Sequence, residues 1–335
     1  MIRVNNDSKI YIICPAYTKT GGTELLHQLA YKIRENGRYC IMSYCGATRS
    51  NPIHRDPAFD KYIQEEININ DIEDKKENIV IIPEICTFLV NKFENVQKVI
   101  WWLSVDNYVR YTSIRNAIKS FGVKDTVLLF MMNHLSFKHK FVRKSDFHLC
   151  QCYYAIDYVK KLGIKEENIG YLSDYINDTF TKNDIFDINK KEDIVLYNPK
   201  KGYEYTKKII EKAKNIKFIP LINLTTEEVK NLLLKSKVYI DFGNHPGKDR
   251  FPREAAMCGC CVITDKKGSA NFEKDVPINE EFKFEDIDGN IENVVKKIEY
   301  CLKDYNNEVE KFNEYREFIK KEEKNFEKDV RKLFI

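Results

Sequence analysis

Short apolar runs recur along this chain of 335 residues, and each is followed by a loop and then a segment with helical apolar spacing. This alternation constrains the fold more than any single residue does. A strand that is apolar throughout must be covered on both faces, and helices returning between parallel strands supply that cover. In the first half, runs at 9–14, 38–44, 78–82, 98–103, 126–131, 146–151 and 168–172 read as strands. Helices are expected at 22–35, where Leu25, Leu26, Leu29, Ala30 and Ile33 share a face, near 108–120, and at 153–162. The polar stretch 45–60 reads as a loop or covering insertion.

Residues 177–192 are polar and without period, which marks a linker. A second series follows, with strands at 193–197, 217–221, 238–242 and 260–264 and helices at 203–213, 225–236, 251–258 and 290–302. The tail from 306 to 335 reads as one charged helix with a broken apolar stripe, Phe312, Tyr315, Ile319, Phe326, Val330 and Leu333, that must dock on a domain. The fold class is therefore α/β, with two Rossmann-like domains at 1–178 and 179–305 and a closing helix at 306–335. Open parallel sheets bind ligands at the carboxyl ends of their strands, so the residues just after each strand carry the functional information.

Composition narrows the class. The 55 Lys and Arg nearly balance the 51 Asp and Glu, so charge alone does not point to nucleic acid. The ten cysteines sit mostly inside apolar runs and lack zinc-ribbon spacing, which reads as structural thiols rather than a disulfide frame or metal site. The amino-terminus runs into a strand without a signal-peptide pattern, and no apolar run reaches the length of a membrane span. The expected location is cytoplasmic.

After the first strand comes Thr20-Gly21-Gly22-Thr23-Glu24, where paired glycines before a helix suit close backbone approach to an anion. A tight turn explains the same residues equally well. The second half carries a denser signal. A strand ending at Phe242 leads into Gly243-Asn244-His245-Pro246-Gly247-Lys248-Asp249-Arg250, then a helix opening at Pro252-Arg253-Glu254-Ala255-Ala256, a Gly259 stop and another strand. His245, Lys248 and Arg250 concentrate positive potential beside a helix amino-terminus, where a phosphate would sit. Asn198-Pro199-Lys200-Lys201-Gly202 follows an earlier strand and offers two more cations over the same edge, or simply solvated lysines.

In these residues the sequence resembles the GT-B glycosyltransferases, in particular the nucleotide-sugar-dependent group with an E-x7-E motif. The segments carrying the resemblance are Thr20–Ala30, residues 150–180, Asn198–Gly202 and, most specifically, Arg253–Thr264. The resemblance implies two domains facing a cleft, an acceptor domain first and a donor domain second, and a terminal helix crossing back to the first. It implies that Glu254 holds the donor ribose and that Lys200, Lys201, Lys248 and Arg250 neutralise the diphosphate, with Asn198 in the same donor-binding loop and Gly21 and Gly22 approaching the donor; His245, by its place inside the second loop, reads as a donor to phosphate or sugar. It implies no cofactor beyond a nucleotide-diphosphate sugar, no metal, and a glycan or lipid-linked acceptor of bacterial surface polysaccharide synthesis. The first glutamate of the motif falls at Pro246, and the first domain's usual histidine is missing, so retention and inversion both stay open.

An inverting path needs a base near the acceptor, for which Asp106, in the segment after Trp101-Trp102, is the first candidate and His134 the second. His134 is read as following the strand at 126–131. His54, His139 and His148 have no evident role. One of the two tryptophans is expected in the core and the other against a sugar. Asp286-Ile287-Asp288 mimics a metal-binding D-x-D but reads as a surface turn. The basic, aromatic stretch 138–144 reads as a solvated face or a contact to anionic lipid at the inner membrane surface. A nucleotide-sugar 2-epimerase shares the two-domain plan, and a catalytically silent nucleotide- or sugar-binding protein is the reading from another class.

Overall fold

The protein is described from a computed structural model over residues 2–46, 55–62, 65–182 and 186–335. Two compact units divide it: Met1–Asp174 together with Lys324–Ile335, and Tyr175–Glu323.

The first unit holds a seven-stranded sheet made of β1 (Ile10–Pro15), β2 (Cys40–Cys45), β3 (Glu66–Ile67), β4 (Ile79–Pro83), β5 (Gln97–Trp102), β6 (Phe147–Cys150) and β7 (Ile169–Tyr171). The order is β3-β2-β1-β4-β5-β6-β7, and every neighbouring pair is parallel. The order reverses between β1 and β4, which is where a doubly wound sheet opens a crevice at its carboxyl edge. The helices are α1 (Gly21–Glu35), α2 (Val105–Val109), α3 (Ile114–Met131) and α4 (Tyr153–Lys161). Leu25, Leu29 and Ile33 of α1 are fully buried, as the spacing predicts. The carboxyl-terminal residues belong to this unit too, where Lys32 Nζ lies 2.6 Å from Glu327 Oε1.

The second unit holds five parallel strands, β8 (Glu192–Tyr197), β9 (Lys217–Pro220), β10 (Ser236–Asp241), β11 (Cys261–Asp265) and β12 (Lys283–Phe284), in the order β12-β11-β10-β8-β9. Here the reversal falls between β8 and β10. Helices α5 (Tyr203–Lys212), α6 (Thr226–Lys235), α7 (Arg250–Met257) and α8 (Ile291–Lys303) join the strands or cover the sheet. Thr225 caps α6 through a reciprocal pair with Glu228.

Three expectations are corrected. Residues 126–131 are not a strand but the end of α3, which runs on past a kink at Gly122 with φ +79°. A short apolar run is ambiguous between the two states, and here the sheet has no place for it. The tail is not one helix but three, α9 (Tyr305–Glu310), α10 (Asn313–Lys320) and α11 (Glu322–Phe334). The chain bends around Phe312, buried against Phe282, so that each segment buries its own apolar residues. Trp101 and Trp102 are both fully buried, because β5 is central and covered on both faces. Their indole N–H groups donate to Leu172 O and His148 Nδ1. All ten cysteines are free thiols, and nine are buried.

Candidate functional site

The carboxyl ends of β8 and β10 lie side by side at the reversal of the second sheet, and the loops after them are packed without slack. Gly202 has φ +54°, and a Cβ there would lie 1.7 Å from the Phe242 carbonyl oxygen. A Cβ on Gly243 would meet Lys201 Cβ at 2.2 Å. Only glycine permits this approach, and it brings the loops at 198–202 and 242–249 together.

Two helices start from these loops, and neither is capped by a side chain. Gly202 is the N-cap of α5 and has no side chain to offer. Asp249 is the N-cap of α7, but its carboxylate turns away from the helix. It lies 2.5 Å from Lys201 Nζ and 2.9 Å from His245 Nδ1. First-turn N–H groups without a side-chain cap, at a sheet reversal, form an anion-binding arrangement. At the first sheet's reversal the situation differs. Thr20 and Thr23 form a reciprocal cap on α1, so Thr23 N–H is already bonded. A Cβ on Gly22 would make only ordinary contact with Leu103, at 3.6 Å, so packing does not dictate that glycine.

The cations divide into two sets. His245 is fully buried, 3.5 Å from Asp265 Oδ1 as well as beside Asp249. Burial opposes its charged form, but Asp241, Asp249 and Asp265 outweigh that and push its pKa up to about 9. Burial also opposes the Asp249 carboxylate, and His245 and Lys201 overcome it, holding Asp249 below the ordinary range. Asp265 is pushed up by burial to about 7. Lys248 is almost fully buried, with Nζ 2.7 Å from Glu322 Oε1. These charges organise the loop internally. Lys200, by contrast, is exposed, and Arg250 is half-buried as the first residue of α7. Asn198 accepts a bond from Lys200 N at 3.0 Å and shapes that turn. Glu254 is buried as the fifth residue of α7, past its first turn.

Arg253 is a site residue that spacing did not single out. Its guanidinium donates to Lys248 O, Asp249 O and Glu322 Oε2, at 2.8, 3.1 and 2.7 Å. It pins the loop at 242–249 to α7. An Arg one residue before the motif glutamate was the available signal.

Asp241, His245 and Asp249 each bring a ligand atom within 4.8 Å of the others. Such a set can hold a divalent ion. Lys201 already supplies positive charge to the same carboxylate, so the set is neutralised by protein cations.

In the first unit, Asp106 lies in the first turn of α2, just past β5, and accepts a bond from the Tyr154 hydroxyl at 3.2 Å. His134 follows helix α3, not a strand, and its ring stacks on Phe88 at 3.7 Å, with burial lowering its pKa. A buried carboxylate not foreseen, Glu84, stands at the end of β4, beside the reversal. Burial pushes its pKa up to about 7, and Leu103 N–H donates to it at 3.0 Å. Asp286 and Asp288 pair with Lys267 and Lys208 at the surface. His54 lies outside the described residues. A hollow of about 680 Å³ lined by Arg34, Arg38, Tyr39 and Glu65 opens at the start of β2, the edge opposite the strand ends.

No protein-family model and no curated protein sequence matches the chain. Solved structures do. Anabaena HepE in complex with UDP-glucose superposes with a TM-score of 0.58 at 11% identity, covering 97% of this chain and 98% of that one. The lipopolysaccharide outer core galactosyltransferase WaaB gives 0.58 at 12%, over 97% and 98%. Sucrose-phosphate synthase from Thermosynechococcus elongatus gives 0.55 at 12%, over 98% and 95%. Over nearly its whole length, then, the chain has the two-domain, doubly wound GT-B fold of these glycosyltransferases.

Proposed function

We propose that this protein is a glycosyltransferase that moves a sugar from a nucleotide-diphosphate donor to a glycan or lipid-linked acceptor in bacterial surface polysaccharide synthesis. The observation that carries the reading is the pair of helix amino-termini without side-chain caps at the β8/β10 reversal, locked together by Gly202 against Phe242. Departure of the nucleoside diphosphate builds negative charge, and fixed N–H groups and cations there lower the barrier without a metal. Arg250 and Lys200 contact the diphosphate, Glu254 accepts from the ribose hydroxyls, and Asn198 shapes the turn. Lys201, His245 and Lys248 hold the loops in place around it. In the first unit, Gly21 and Gly22 offer backbone to the donor, and on an inverting path Asp106, or as second candidate His134, serves the acceptor hydroxyl as base. The enzyme works on the cytoplasmic side, at the inner face of the membrane.

Melting-temperature shifts with nucleoside diphosphates and their sugars, in chelator and then with magnesium, test this reading. Uridine compounds come first, because HepE is seen with UDP-glucose. A ligand that binds only the native state raises the transition. The expected result is a shift with one nucleotide, unchanged by chelator and lost in Arg250→Ala, with nucleotide release once an acceptor glycan is supplied. No shift with any nucleotide, in folded protein, overturns the reading. A shift without turnover favours the silent binder, and solvent deuterium entering the sugar at C2 favours the epimerase.

A further inference from the structure

Helix α3 buries only Ala117 and Thr126 of its 18 residues. Sixteen large apolar side chains are strongly exposed among the described residues, and half of them lie on α3 or just after it. They concentrate past the Gly122 kink: Val123, Val127, Leu128, Phe130, Met131 and Met132, with Met131 77% exposed. Val123, Val127, Phe130 and Met131 are spaced four, seven and eight residues on from the first, so they share one face. Isolated exposed apolar residues are ordinary, but a contiguous set marks an interaction surface.

Charge identifies the partner. Between residues 110 and 144 the chain has eight Lys and Arg and one acid, Asp125. The whole chain is only +4, so the rest is net acidic and the basic charge is gathered around this helix. Arg115, Lys119 and Lys124 are exposed on α3 itself, and Lys138, Arg143 and Lys144 are exposed in the segment after it. An exposed apolar helical face among lysines and arginines matches an anionic bilayer, whose acyl boundary takes the apolar side chains while its headgroups take the cations. The stretch 138–144 does not supply the apolar contact, since Phe141 and Val142 are buried in the first unit.

We infer that α3, through its segment after Gly122, is the element that seats this protein on an anionic membrane surface. This extends the membrane contact proposed above, independently of glycosyl transfer. The full chain is sedimented with vesicles of phosphatidylcholine alone and of phosphatidylcholine with about a third phosphatidylglycerol. The protein is expected to pellet with the anionic vesicles and far less with the neutral ones. The double variant Val127→Asp/Met131→Asp should pellet about tenfold less while melting as the parent does, because both residues are exposed. Lys119→Glu/Lys124→Glu should weaken binding to the anionic vesicles only. If the parent binds and the aspartate variant binds equally, α3 is not the contact, although a membrane contact elsewhere stands. If the parent binds neither vesicle, both ideas fall. A parent that ignores vesicles but forms a dimer, abolished by the aspartate variant, assigns the face to a second copy of the chain and overturns the inference.

Discussion

Single residues at the β8/β10 reversal set the loop geometry through sterics and through charge. Gly202→Ala would drive a methyl into the Phe242 carbonyl at a positive φ. We expect it to cost at least about 2 kcal/mol in urea unfolding and to weaken nucleotide binding, whereas Gly163→Ala, which meets no neighbour, should lose only the strain of its φ. His245 sets a pH dependence whose sign follows from its raised pKa. The folded state holds its proton more tightly than the ordinary value of 6.5, so its stabilisation is complete below about 6.5 and fades as pH rises through about 9. Asp265, pushed up to about 7, acts in the same direction at lower pH. The urea midpoint should therefore fall from pH 6.5 to 9.5, and His245→Gln should flatten that fall. A flat parental profile would mean the imidazolium is not formed.

Buried charge, besides apolar packing, ties one element to another here. Glu322, at the start of α11, receives Lys248 Nζ and Arg253 Nη1, each at 2.7 Å, with all three side chains almost fully buried. Removing the carboxylate leaves two buried cations on the loop and on α7. Glu322→Ala should cost about 3–5 kcal/mol, read by denaturant titration, and should disorder the loop at 242–249 enough to abolish nucleotide shifts. Arg253→Ala should act likewise, through the lost bonds to Lys248 O and Asp249 O. Element positions were largely legible in sequence: β1, β8, β9 and α5 fall within a residue or two of the apolar runs. The two-residue edge strands β3 and β12 are too short to have a period. Residues 126–131 misled because they are apolar without being core, and exposure is not written in hydropathy.

The whole molecule pairs two parallel sheets of seven and five strands, each with its reversal at a different pair of strands. If the second reversal is the donor site, Arg250→Ala and Glu254→Gln should each weaken nucleotide binding roughly tenfold or more, measured on variants still folded at the assay temperature, because charge-assisted hydrogen bonds are worth about 1.5–3 kcal/mol. Asp106→Asn should leave that binding intact and reduce transfer. Glu84→Gln keeps a buried hydrogen bond, so any loss of transfer there, measured against unchanged nucleotide binding, would draw the first reversal into the chemistry. The sequence by itself determined the two α/β units, a helix at 251–258 that the structure starts one residue earlier, and the cations beside it, because period, capping and glycine placement are local properties. Tertiary structure alone decided which of those cations stay at the surface. Lys201, His245 and Lys248 each meet a carboxylate far away or across a turn, at Asp249, Asp265 or Glu322. Ion pairing in a buried loop depends on which strands lie side by side, and strand order is a long-range property that no local pattern encodes.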